Sequence, residues 1–201
     1  DLSGAEAEGR RIATLFGSHP SVRLTRREGR QASRSTLLDD FRSGRYDMLH
    51  YAGHAAFDPV QPARSGILCA GEEILSGADL SGLANLPNLV VFNACESGRV
   101  RRRRTRAGDR EDLRRRVQQT VGLAEAYLRG GVANYVGTYW PVGDDPAKTF
   151  AASFYGAILE GHSLGRALIT ARLAVHDLPE KSVDWADYIH YGNPHFVLKL
   201  R

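Results

Sequence analysis

The sequence predicts an α/β domain built on a mostly parallel sheet with helices on both faces. Three observations carry this. Residues 88–94 (Asn-Leu-Val-Val-Phe-Asn-Ala) are continuous rather than alternating, as in a strand whose two faces are both covered, and 133–140 reads as another buried strand. Amphipathic segments with helical spacing alternate with such runs, the pattern of strand–helix–strand units. Glycine, proline and aspartate stand at the joins, where they end one element and begin the next. A length of 201 residues with 42% hydrophobic side chains is ample for one core, so residues 1–201 are read as a single domain.

Taken in order, residues 5–16 place Ala5, Ile12, Leu15 and Phe16 on one face of a helix that Ser3 would cap. Ser21 to Thr25 alternates as a short strand. Ser33 to Arg42 presents Leu37, Leu38 and Phe41 as a second helix, and Tyr46 to Ala52 is a β-rich apolar segment stopped by Gly53-His54. Asp58-Pro59 and Gln61-Pro62 mark a loop. Residues 66–70 and 72–75 predict a small hairpin, and 76–84 a turn with a short helix. The strand at 88–94 leads to Cys95. Residues 120–128 read as a helix closed by Gly130-Gly131, 133–140 as the next strand, and 146–159 as a helix with Pro146 in its first turn. Ser163 would cap a last helix through Val175, and Tyr188 to Tyr191 a final strand.

Composition narrows the function classes. Two cysteines make no disulfide framework, no stretch of 18 apolar residues exists, and the first residues lack the basic-then-apolar form of a signal peptide. The expectation is a cytoplasmic chain that does not engage a membrane. The net charge of +4 would point to a nucleic-acid partner if it were spread over the surface. It is not: residues 99–116 hold ten arginines against three acids, so the other 183 residues carry a net −3. That segment has three readings: a solvated loop, a cleavage site, or a patch for an acidic partner or nucleic acid through Arg101, Arg102, Arg103 and Arg104.

Parallel sheets place chemistry at the carboxyl ends of adjacent strands. Two reactive side chains stand at such ends, His54 in Ala52-Gly53-His54-Ala55 and Cys95 in Ala94-Cys95-Glu96-Ser97-Gly98. A thiol with a pKa of about 8.5 becomes a useful nucleophile when a neighbouring base ionises it. If the two strands are neighbours, the side chains face each other, and the N–H groups of Ala55 and Cys95 can point at an oxyanion. Spacing alone leaves open the plainer reading, a buried thiol and a structural histidine. Gly161-His162-Ser163-Leu164-Gly165 matches the G-x-S-x-G elbow of serine hydrolases, which must follow a strand; here a helical pattern precedes it. Cys69 reads as a buried thiol, and a Cys69–Cys95 bridge is the minor alternative. His190 and His195, near Trp185 and Tyr191, read as sheet-edge packing; no spacing among the seven histidines resembles a zinc site, and no cofactor is expected.

Several blocks, in order, resemble the CHAT family of caspase-like proteins: Tyr46-Asp47-Met48-Leu49-His50-Tyr51-Ala52-Gly53-His54-Ala55, Ser65-Gly66-Ile67-Leu68, residues 89–98, Gly122-Leu123-Ala124 with Gly130-Gly131-Val132, and Tyr139-Trp140-Pro141-Val142 with Asp145. The resemblance implies a caspase-like sandwich and a cysteine endopeptidase with His54 as general base and Cys95 as nucleophile. Asp58 and Glu96 are candidate orienters of the base. It also implies a strand before residue 1, hence a chain cut from a larger multidomain protein, with a sensor or regulatory domain or partner and a role in bacterial defence or programmed death. A catalytically idle interaction domain is the alternative. In relatives that prefer basic residues, an acid stands two places before the cysteine; here Asn93 does, which implies a neutral or basic P1 residue. Trp140 is either core or a wall of the peptide groove, and Asp144 and Asp145 either cap a helix or add acidity to the pocket.

Overall fold

A computed structural model of the chain describes residues 3–56, 58, 60–93, 124–138, 142–179 and 183–199. Among the described residues its central sheet has four strands: β1 (Met48–Ala52), β5 (Leu89–Asn93), β6 (Asn134–Thr138) and β7 (Tyr188–Tyr191), in that spatial order. The first three run parallel and β7 closes the edge antiparallel to β6. A second, antiparallel sheet joins β2 (Ala55–Ala56), β3 (Gly66–Leu68) and β4 (Ile74–Ser76). The protein is therefore a mixed α/β fold around a mostly parallel sheet.

Both faces of the sheet are covered because successive strand residues point to opposite sides. Leu89 and Val91 of β5 join Val136 under the helices α1 (Ser3–Gly17), α5 (Asp144–Leu159) and α6 (Leu164–His176), where Ile12, Phe16, Phe150, Phe154, Ile158 and Val175 are buried. Val90 and Phe92 join Tyr135 on the other face, against Leu38 and Phe41 of α2 (Arg34–Arg42), Leu80 of α3 (Gly77–Leu80) and Tyr127 of the helix α4 at 124–129. All five residues of β5 are buried, which is why its sequence is continuous rather than alternating.

Local signals account for most boundaries. Ser33 caps α2 by accepting the Thr36 N–H, and Ser76 with Asp79 forms a reciprocal capping box at α3. Ser163 caps α6 through the Arg166 N–H. It joins helix to helix, so the strand that a nucleophile elbow needs is absent there and the serine-hydrolase reading falls. Three expectations are corrected. Ser3 lies within α1 rather than before it, and residues 22–25 pair with no described strand; Val22 only packs against the core. Neither Asp144 nor Asp145 caps α5: Gly143 is the N-cap, its N–H held by Asp184 Oδ2 at 3.2 Å, and the two aspartates occupy the first turn.

Candidate active site

His54 stands where β1 gives way to β2, and its backbone is held from several directions. The Gly53 N–H donates to the Asn93 carbonyl at 3.3 Å, extending the β1–β5 ladder past the end of β1. The His54 carbonyl accepts the Leu68 N–H at 3.0 Å and the hydroxyl of Tyr51. That hydroxyl also lies 3.2 Å from the Leu68 carbonyl, and the Tyr51 ring stacks on Phe92 with centroids 5.0 Å apart. Burial pushes the Tyr51 phenol well above its ordinary pKa, so it stays a donor. Gly53 makes this possible: a Cβ there would come within 2.6 Å of the Tyr51 hydroxyl.

The hairpin sheet also sets the next N–H group. Leu68 bonds His54, so residues 54 and 68 form a hydrogen-bonded antiparallel pair, and Ala55 opposite Ile67 is a non-bonded one. The Ala55 N–H therefore points away from β3. Among the described residues the β2–β3 ladder does not use it. The His54 ring is half-buried and makes no hydrogen bond among the described residues. Asp58 does not orient it. Its Oδ1 accepts the N–H groups of Val60 and Gln61, each at 2.9 Å, and these bonds hold its carboxyl below the usual carboxylate range. Asp58 builds the loop.

β1 and β5 are adjacent, parallel and paired Met48 with Leu89 through Ala52 with Asn93. Asn93, expected to meet substrate, is 2% exposed, and its Nδ2 donates to Glu8 Oε1 at 2.9 Å across the face covered by α1. Glu8 is 1% exposed. His50 Nε2 approaches the same oxygen at 3.0 Å, off hydrogen-bond alignment, while His50 Nδ1 lies 2.8 Å from the Tyr155 hydroxyl of α5. This buried polar group was missed in the sequence, although a signal existed: Glu8 falls between Ala5 and Ile12 on the apolar stripe of α1.

The two aspartates diverge. Asp145 is exposed and pairs with Lys148 at 2.6 Å. Asp144 lies over the backbone of α1, its Oδ1 2.2 Å from where a Cβ on Gly4 would be, so a side chain at position 4 would make the exposed carboxylate shift. Cys69 is a free, buried thiol, raised in pKa chiefly by desolvation. His190, held by Asn134 Oδ1 at 3.1 Å, lies on the edge strand, and burial lowers its pKa. His195 is exposed. Trp185 instead meets His176 edge-on and Arg172. Cys95, Glu96, Trp140 and the segment 99–116 with Arg101 to Arg104 lie outside the described residues.

The CHAT domain model matches residues 1–193. The chain belongs to the CHAT-domain family. This is a family of caspase-like peptidases, and the match spans every element described above. No curated protein matches the chain. Among the described residues, no group of three or more His, Cys, Asp or Glu side chains could hold a metal ion in this CHAT domain, and no helix is long and apolar enough to cross a membrane.

Proposed function

We propose that this CHAT domain is a cysteine endopeptidase in which His54 is the general base and Cys95 the nucleophile. The observation that carries the proposal is the parallel pairing of Ala52 with Asn93. His54 follows Ala52 by two residues and Cys95 follows Asn93 by two, so in sequence the base and the thiol stand equally far past one registered pair on adjacent parallel strands. Family membership supports the same pairing.

In the reaction His54 accepts the thiol proton and the Cys95 sulfur bonds to the peptide carbonyl carbon. The N–H groups of Ala55 and Cys95 hold the resulting oxyanion. Collapse breaks the C–N bond, His54 protonates the leaving amine, and water then releases the acyl group and restores the thiol. A peptidase of this kind in the cytoplasm needs restraint. The reading therefore includes a sensor or regulatory partner and a role in bacterial defence or programmed death, with the arginine-rich segment after Cys95 as the place where cleavage or partner binding would act.

The test compares wild type with Cys95→Ala in a proteome lysate, mapping new protein N-termini by mass spectrometry. Termini present with wild type and absent with Cys95→Ala are expected. Identical patterns overturn the proposal and leave an idle interaction domain.

A further inference from the structure

We infer that the exposed face of α6 pairs with the same face of a second copy of this chain, the two helices running antiparallel about a two-fold axis. The face is apolar where solvent favours charge. Leu164, Ala167, Ala171 and Val175 bury one side of α6 in the core, yet Ile169 and Leu173 stand on the opposite side, 55% and 57% exposed. A helix apolar on both sides is normally covered on both. Eight large hydrophobic side chains are exposed among the described residues, and four of them belong to α6 and to the turn at 183–186 that follows it, which adds Val183 and Trp185. Arg172 fixes Trp185 beside the helix: its Nε donates to the Trp185 carbonyl at 2.9 Å, and its guanidinium lies 5.6 Å from the indole centroid. Single exposed hydrophobics need no explanation, but a gathered set marks a contact surface.

The charges at the two ends of the stripe say what covers it. Positions 166, 169, 170, 173 and 177 follow one another at three- and four-residue steps, so Arg166 lies at its N-terminal end and Asp177 at its C-terminal end, both exposed. Each stands at the unfavourable end of its own helix. A cation in the first turn meets the positive pole of the helix dipole, and an anion at the C-cap meets the negative one. Arg166 makes no ion pair among the described residues, and Asp177 pairs with His176, its neighbour in sequence, at 3.0 Å.

An antiparallel copy reverses both placements. Arg166 then faces the second copy's Asp177 at the negative pole of that helix, and the contact is made twice because a two-fold interface repeats itself. The same register closes the apolar centre, since positions 166 and 177 share their midpoint with 170 and 173: Leu173 falls against Thr170 and Ile169 of the other copy. Antiparallel helices pack about 8–10 Å apart, a gap that an arginine side chain spans. A parallel copy would instead set Arg166 against Arg166. The other cation of α6, Arg172, is turned to Trp185 and stays off the axis. One helix face flanked by a tryptophan is smaller than the roughly 800 Å² per partner of a standard interface, so the dimer is a weak one, with a dissociation constant in the micromolar range.

The test is sedimentation equilibrium of the 201-residue chain under reducing conditions, from about 1 μM to about 1 mM, a readout that needs no cleavage. Wild type is expected to pass from monomer to dimer within that range. Leu173→Asp is expected to raise the dissociation constant about 30-fold or more. Its side chain is exposed in the single chain, so its unfolding midpoint at low concentration should match wild type; Ile169→Asp serves should it not. Arg166→Asp and Asp177→Arg, each of which sets two like-charge contacts in the dimer, are expected to weaken it about tenfold apiece, and combining them should restore most of the loss. Raised salt should weaken the wild-type dimer. A chain that stays monomeric throughout leaves the stripe to some other partner and overturns the inference. So does a dimer that Leu173→Asp leaves unchanged, or a combined charge exchange no tighter than the single ones.

Discussion

Replacing Gly53 with alanine tests how the His54 loop is held. The backbone tolerates the change, since Gly53 is not among the glycines with positive φ. The obstacle is Tyr51, whose hydroxyl and Cζ would lie 2.6 and 2.8 Å from the new Cβ. Ordinary contacts begin near 3.5 Å, so the ring must retreat by roughly 0.7 Å or more. Retreat breaks the bond from Tyr51 to the His54 carbonyl and disturbs the stack on Phe92. The carbonyl keeps its bond from Leu68, so the loss is one hydrogen bond, about 1 kcal/mol, plus about 1 kcal/mol of overpacking. About 2 kcal/mol in a chain of this size lowers the melting temperature by about 4–8 °C. The assay is a double-mutant cycle with Tyr51→Phe, read by denaturant unfolding. With the hydroxyl gone, Gly53→Ala should cost about 1 kcal/mol less than in wild type. Additivity within about 0.3 kcal/mol, or wild-type stability for Gly53→Ala, refutes the reasoning.

Ser163→Ala should cost about 1 kcal/mol through loss of the α6 cap and leave proteolysis intact, as unfolding and peptide-cleavage assays together would show. In native protein, iodoacetamide at neutral pH should leave Cys69 unmodified, because its thiol is buried and raised in pKa; peptide mapping that finds it labelled contradicts this. Asp40 is held below the carboxylate range, first by its hydrogen bond from Arg27, and Asp58 by the backbone N–H groups of Gln61 and Val60. A depressed folded pKa contributes stability above the unfolded value near 4, lost as pH falls through the folded value. Arg27→Gln should therefore flatten the fall in stability below about pH 4; superimposable acid limbs would contradict the assignment.

The elements legible in the sequence were those whose signal is local. Ser163 announces its helix because a cap is a side chain bonding its own backbone, and β5 announces itself because both faces are buried. What sequence could not give depends on chain brought from afar. β2 is two residues long and exists through its pairing with β3, yet it fixes the direction of the Ala55 N–H. Ser21 to Thr25 alternates like a strand but finds no strand partner among the described residues. Asp144 looked like a cap and instead fills the space that Gly4, 140 positions earlier, leaves open. The bond from Asn93 to Glu8 spans 85 residues, and no periodicity encodes it.

The dyad itself is tested most directly by the reactivity of Cys95. In a Cys69→Ser background, the rate of iodoacetamide modification is followed against pH with His54 intact and with His54→Ala. The account predicts that Cys95 reacts appreciably near pH 6.5 when His54 is present, and at least about tenfold more slowly without it, its profile moving toward the free-thiol pKa of about 8.5. Equal rates and superimposable profiles in the two proteins would contradict the pairing of His54 with Cys95.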